Sequence, residues 1–307
     1  MRIIFFGTPD FAVSSLAALI EHNFEVVAVV TAPDKPGGRG QQLLSSPVKE
    51  FAQKHQLPVL QPPNLKAPDF IDTLRGFHAD LQIVVAFRML PEVVWAMPPK
   101  GTFNLHASLL PQYRGAAPIN WALINGETET GLTTFMLRHE IDTGHILFQV
   151  SEEIYPEDNF GTLYERLRHK GAKLVVRTVE AIIDDEYEAI AQDMGLEVKT
   201  APKLSREIAQ IDWQKPALQI HHLVRGLSPV PAAWTTWQGK ICKIFRTRLP
   251  SSAEAEALTG LSPGQWHTDQ KSLLLFQTGE GPIAIEELQL EGKKRLDIRA
   301  FLAGHRL

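Results

Sequence analysis

The stretch RIIFFGTPDFAVSSLAALIEHNFEVVAVV (residues 2–30) decides the fold class. RIIFF (2–6) and VVAVV (26–30) are short, unbroken apolar runs. Between them GTPD breaks the chain, and FAVSSLAALIEH (11–22) places apolar side chains at helical spacing. A strand with one wet face alternates, whereas an unbroken apolar strand is covered on both faces. Strand, helix, strand in that pattern predicts a parallel sheet between layers of helices. Working outward, a helix is predicted at 47–56, a short strand at 58–60 and a helix near 68–76. DLQIVVAF (80–87) is the most strand-like run, and a short helix around Pro91–Met97 leads to a strand at 101–106. Two more strands, 131–139 and 145–154, precede a long helix at 163–183. Ligands of such sheets sit beyond the carboxyl ends of the strands.

After residue 183 the pattern changes. Residues 184–204 are mixed and charged, and 188–204 reads as a linker. One or two helices at 205–226 are followed by short segments with turn signals, AAWTTWQGKICKIFRTRL and SLLLFQTGEGPIAIEELQL, which suggest a small β-barrel. The expected division is 1–187, an α/β domain with a doubly wound parallel sheet, the linker, and 205–307.

Bulk properties narrow the class. The chain has 307 residues and a net charge of −4, and no stretch approaches a membrane span. The apolar run at the N-terminus is too short for a signal peptide. A single cysteine, Cys242, excludes an internal disulfide framework and a cysteine zinc cluster, and reads as a core residue. A cytoplasmic location fits these features, and nothing signals an obligate protein partner. Residues 1–200 hold 17 Lys and Arg against 25 Asp and Glu, but residues 201–307 hold 14 against 10. An acidic body with a basic tail suggests that the tail meets something anionic.

The candidate chemistry lies in FNLHASLLPQYRGAAPINWALINGE (103–127). Asn104 and His106 are two apart, so in a strand they share a face. An amide donor beside an imidazole at a strand tip suits a developing oxyanion. HEIDTGHIL (139–147) offers a carboxylate, Asp142, before the turn signal Thr143-Gly144. A carboxylate beside His106 favours its imidazolium form. Taken singly these residues are weak signals, since Asn-x-His pairs and Asp-Thr-Gly turns are more often structural. No metal site is signalled.

The wider sequence resembles the folate-dependent formyltransferases, in particular those acting on methionyl-tRNA. The resemblance rests on NLHASLLPQYRGAAPINWALINGETETGLTTF with DTGHIL, and on GTPDFAV, APDKPGGRG, SSPVKEFA, GTLYERL, KLS…IDW and LSPVPAAW. It implies a Rossmann-like N-terminal domain joined to an OB-like barrel, with Asn104, His106 and Asp142 as the catalytic trio. It further implies that Ser108, Leu109, Leu110 and Pro111 line a tetrahydrofolate site, and that backbone near Ala86 and Phe87 contacts the pterin. The donor would be 10-formyltetrahydrofolate and the acceptor initiator methionyl-tRNA. The chain departs from the family pattern at Ala86-Phe87-Arg88, where a bulky cation replaces glycine. It departs again at His139, where an acidic residue is common; no catalytic role is expected of His139.

Loop 32–46 carries Lys35 and Arg39 among Gly37, Gly38 and Gly40. Mobile glycines and two cations suit phosphate contacts, and the resemblance implies insertion at the tRNA acceptor end. In the tail, Arg246, Arg248, Lys293, Lys294 and Arg295 accompany Trp234, Trp237 and Phe245, a mixture that nucleic-acid-binding barrels use, though tryptophans in small barrels are more often core. Rival readings are a sugar-nucleotide formyltransferase, a non-catalytic tRNA-binding protein and a nucleotide-dependent oxidoreductase. The GTPDFA turn has one glycine and no G-x-G-x-x-G, which disfavours the last.

Overall fold

The structure is a computed structural model that describes residues 1–37, 42–140, 142–193, 195 and 197–305. The chain divides into two compact units. Unit 1 is Met1–Gly115, Thr130–Glu152 and Tyr164–Thr200; unit 2 is Ala116–Glu129, Glu153–Leu163 and Ala201–Leu307.

Unit 1 begins with β1 (Arg2–Gly7), α1 (Asp10–Glu21) and β2 (Glu25–Val30). Ile3, Ile4, Phe5 and Phe6 of β1 are all fully buried, which requires cover on both faces. Helix α1 turns Phe11, Ala12, Ser15, Leu16 and Leu19 inward, one stripe at helical spacing. A Cβ on Gly7 would lie 2.6 Å from that of Ala12, so the glycine lets strand and helix approach closely. Next come β3 (Lys35–Gly37) and β4 (Gln42–Leu44), paired antiparallel. Loop 32–46 is therefore a short hairpin at its described residues rather than a free loop; Gly38, Arg39 and Gly40 lie outside them. Its base is tied by Asp34, which accepts from Lys49 at 2.5 Å and Gln61 at 2.8 Å.

The chain continues through α2 (Pro47–Lys54), β5 (Val59–Leu60), α3 (Pro68–Gly76), β6 (Leu81–Val85), α4 (Glu92–Trp95) and β7 (Thr102–His106). After β8 (Arg114–Gly115) and α5 (Pro118–Ile124), it forms β9 (Glu129–Met136), β10 (Ile146–Glu153) and the 25-residue α6 (Phe160–Asp184). The sheet order is β10-β9-β7-β6-β1-β2-β5. Five strands are parallel as predicted, and chain order reverses direction at β1, which is the switch point of a doubly wound sheet. The parallel expectation fails for β9, which runs antiparallel to β7. The helix between them, α5, belongs to unit 2 rather than to the unit that holds the sheet. It packs on another helix of unit 2, so β9 enters where β7 leaves.

Unit 2 follows β11 (Thr200–Ala201) with α7 (Ala217–Leu227), β12 (Ala233–Trp237), β13 (Lys240–Arg248) and α8 (Ser252–Ala255). Then come β14 (Trp266–Thr268), β15 (Leu274–Gln277), β16 (Pro282–Leu290), β17 (Leu296–Asp297) and α9 (Ile298–Gly304). The strands form one antiparallel sheet, β12-β13-β16-β15-β14, with β17 on β16. Its core unites Ile220, Val224 and Leu227 of α7 with Trp237, Ile244, Phe276, Ile285 and Phe301. Cys242 is buried there, and burial pushes its thiol pKa up to about 12, so it is inert packing.

Candidate active site

Asn104 and His106 end β7, between β6 and β9. Their spacing puts both on one face. His106 is buried and Asn104 half-buried, and among the described residues the Asn104 amide has no hydrogen-bond partner. Beyond His106 the chain folds into a compact loop. The Ser108 hydroxyl donates to the Gln112 carbonyl at 2.6 Å. Thr133 Oγ1 donates to the Ser108 carbonyl at 2.7 Å and accepts from the Leu110 amide at 3.1 Å. Ser108 and Leu110 are thus committed to the protein, and only Leu109 and Pro111 of that segment are partly exposed.

The loop brings Tyr113 back to His106. The Tyr113 carbonyl lies 2.9 Å from Nε2 of His106; a carbonyl only accepts, so Nε2 carries a proton. Nδ1 is the nitrogen left for chemistry. It faces Oδ2 of Asp142 at 3.9 Å, beyond direct hydrogen bonding, with both side chains about nine-tenths buried. Asp142 therefore lies beside the histidine without bonding to it directly. Asp142 sits at φ +55°, a strained conformation of the kind stored at functional sites. The Gly115 N–H donates to its Oδ2 at 3.1 Å. Gly144 makes the loop possible, since a Cβ there would lie 1.6 Å from the Met136 carbonyl oxygen.

At the end of β6, Ala86 is exposed with φ +48°. Phe87 turns into the core, edge-on to Phe6 at 5.6 Å, so it offers backbone rather than side chain to a ligand. Arg88 donates to the carbonyls of Pro62 and Pro63 and lies over the Phe87 ring. The bulky cation where glycine is usual thus latches two loops together. Beside it opens a cavity of about 820 Å³, lined by Pro63, Leu65, Lys66, Arg88, Met89 and Val93 among others. His139 lies 3.1 Å from Glu92 and edge-on to Trp95.

The proposed nucleic-acid groups are less free than their sequence suggests. Arg246 pairs with Glu286, Arg248 with Glu254, and Arg295 with Glu287. Trp237 and Phe245 are buried, and Arg295 lies over the Phe245 ring at 4.2 Å. The Trp234 indole donates to the Arg206 carbonyl. These rings pack protein rather than stand ready for bases. Lys35, Lys293 and Lys294 are exposed.

Two residues that the sequence reading missed brace the site. Gln149 donates to the Leu110 carbonyl and Thr133 Oγ1. Gln192, in the expected linker, is buried and donates to the carbonyls of Asp142 and Gly144. The only sequence signal was an uncharged AIAQ (189–192) in an acidic stretch.

The formyl transferase family pattern matches residues 1–179, and that family's C-terminal domain matches residues 203–306. The chain belongs to the formyl transferase family. It is 49% identical over 310 residues to a methionyl-tRNA formyltransferase of Bacteroides fragilis, covering 100% of this chain and 96% of that protein. It is 50% identical over 315 residues to one from Bacteroides thetaiotaomicron, with the same coverage. Among solved structures, a sugar 3N-formyl transferase, WlaRD, matches with TM-score 0.66 and 18% identity over 96% of this chain and 99% of that one. HypX from Aquifex aeolicus, in complex with tetrahydrofolic acid, matches with TM-score 0.65 and 19% identity over 98% of this chain and 47% of its own. At those identities the likeness is one of fold. Among the described residues no helix is long and apolar enough to cross a membrane, and no cluster of three or more His, Cys, Asp or Glu could hold a metal ion.

Proposed function

We propose that this chain transfers the formyl group of 10-formyltetrahydrofolate to the amino group of methionine on initiator tRNA, with Asn104, His106 and Asp142 as its catalytic groups. The observation that supports the chemistry is the pair at the carboxyl end of β7, Nδ1 of His106 3.9 Å from the Asp142 carboxylate, with Asn104 two residues before His106 in the same strand. The choice of acceptor rests on half-identical relatives along the full chain.

The methionine amine, as free base, attacks the formyl carbon. The carbonyl oxygen gains charge as the carbon becomes tetrahedral. The unpartnered Asn104 amide donates to it, and His106 reaches it through Nδ1, since Nε2 is held by Tyr113. Asp142 takes the proton that the amine loses, directly or through water. The carbon–N10 bond breaks, and N10 takes up a proton from the same network. The product is formylated amine plus tetrahydrofolate. The 820 Å³ cavity suits a cosubstrate of folate size, with apolar walls for ring surface and Lys66 for an anionic group. Exposed Lys35 and the lysines of the β16–β17 turn supply phosphate contacts.

The test is formyl transfer from 10-formyltetrahydrofolate to charged initiator tRNA by the full chain. Failure there, with transfer to an amino-sugar nucleotide, overturns the choice of acceptor.

A further inference from the structure

We infer that Gln192 is a positioning residue that sets Asp142 for the reaction from outside the catalytic sheet. The inference rests on the reading of Asp142 given above. Gln192 follows Ile190, which bridges to Ile146 at the start of β10, so this part of the expected linker is bound into unit 1. The side chain is 7% exposed and uses its full hydrogen-bonding capacity. Nε2 donates one proton to the Asp142 carbonyl at 2.8 Å and the other to the Gly144 carbonyl at 2.9 Å. Oε1 accepts from Arg114, at 3.2 Å from Nε and 2.6 Å from Nη2.

Those contacts join the two halves of the carboxylate's support. One half is the backbone of the turn that carries Asp142 at φ +55°, a conformation that needs restraint from outside. The other half is β8, whose Gly115 N–H holds Oδ2 of Asp142. The neighbouring segment works in parallel. The Lys199 carbonyl accepts from the Tyr113 amide at 2.6 Å, and the Glu197 carbonyl accepts from the Gln112 side chain at 3.1 Å. Tyr113 in turn fixes Nε2 of His106. Gln192, Glu197 and Lys199 therefore clamp both members of the His–Asp pair. Gln192 touches no reacting atom in this arrangement; it acts through Asp142.

The experiment compares Gln192→Glu with wild type in the full chain. Glutamate is nearly isosteric and keeps the acceptor for Arg114, but it has no N–H for the two carbonyls. Misplacing a catalytic group by about 1 Å costs up to about 100-fold. Q192E is expected to lower kcat about 10- to 100-fold, with KM for both substrates nearly unchanged and the pH profile of kcat displaced. In an Asp142→Asn background the same substitution should add little, because the group it positions is already gone. Amide hydrogen exchange at Thr143, Gly144 and His145 should quicken in the free protein, and Gln192→Met, which removes the donors without adding charge, should do the same. Wild-type kcat in Q192E, full additivity with D142N, or unchanged exchange overturns the inference. The exchange measurement needs no substrate, so it stands even where wild type fails to formylate methionyl-tRNA, an outcome that sinks the functional reading instead.

Discussion

At the residue scale, the site assigns unequal tasks to three neighbours. His106 has one nitrogen committed to Tyr113 and one aimed toward Asp142, while the Asn104 amide has no partner among the described residues. In the proposed mechanism Asn104 is thus the group whose removal disturbs the folded protein least and the oxyanion most. Asn104→Ala should lower kcat about 10²- to 10³-fold, the usual cost of one lost oxyanion donor, with KM and melting temperature close to wild type. Steady-state kinetics and a thermal melt decide it; near-normal kcat removes Asn104 from the trio. Asn104 and His106 were legible because period-two geometry puts them on one face. Asp142 was legible as a turn residue, but its reach to His106 was not, since that depends on a loop pinned by Gly115 and Gln192 from distant parts of the chain. Ser108 reads as a ligand contact, yet its hydroxyl serves its own loop, because a buried hydroxyl must find a partner nearby.

At the element scale, the strands of the large sheet declare themselves through unbroken apolar runs. The direction of β9 does not, because it depends on the path of the chain between β7 and β9, which leaves unit 1. The pairing of β3 with β4 is hidden by the Gly and Pro content of this stretch, although Lys35 faces Leu44 in register. The Asp142 turn depends on Gly144 for space, not for φ. Gly144→Ala would drive a Cβ into the Met136 carbonyl, so the turn must shift. The expected result is a kcat loss of about 100-fold together with a lower melting temperature, and an alanine variant of full activity would refute this account of the turn. In unit 2, α8 is started by a capping box in which Ser251 and Glu254 bond reciprocally. The hydrogen bonds from Arg248 are the main reason that the Glu254 pKa is held down to about 2 from its usual 4.5. A depressed carboxylate contributes stability that is complete above its unfolded pKa and is lost as pH falls toward the folded one. Glu254→Gln should therefore destabilise unit 2 near neutral pH, with the gap to wild type narrowing below pH 4.5. Denaturant titrations across that range would show it, and a gap independent of pH would remove the ionised carboxylate as its cause.

At the scale of the whole molecule, charge is divided between an acidic body and a basic tail, but the structure changes which cations count. Arg246, Arg248 and Arg295 face glutamates, and a paired arginine has little left to offer a phosphate without first giving up its partner. Lys293 and Lys294 lie exposed in the turn between β16 and β17, with no side-chain partner among the described residues. The arginines are fixed by folding, whereas the lysines keep their charge for solvent or a polyanion. Electrostatic binding of tRNA should weaken steeply with salt, because each neutralised phosphate releases counterions. Replacing both lysines by alanine should weaken binding of charged and uncharged tRNA alike and lower the log–log salt slope by about one to two. Fold and chemistry should be untouched, so kcat at saturating tRNA stays near wild type while KM for tRNA rises. A salt slope near zero for the wild-type chain would sink the electrostatic picture altogether. An unchanged slope in the double variant would shift the phosphate contacts away from this turn, toward the hairpin that carries Lys35.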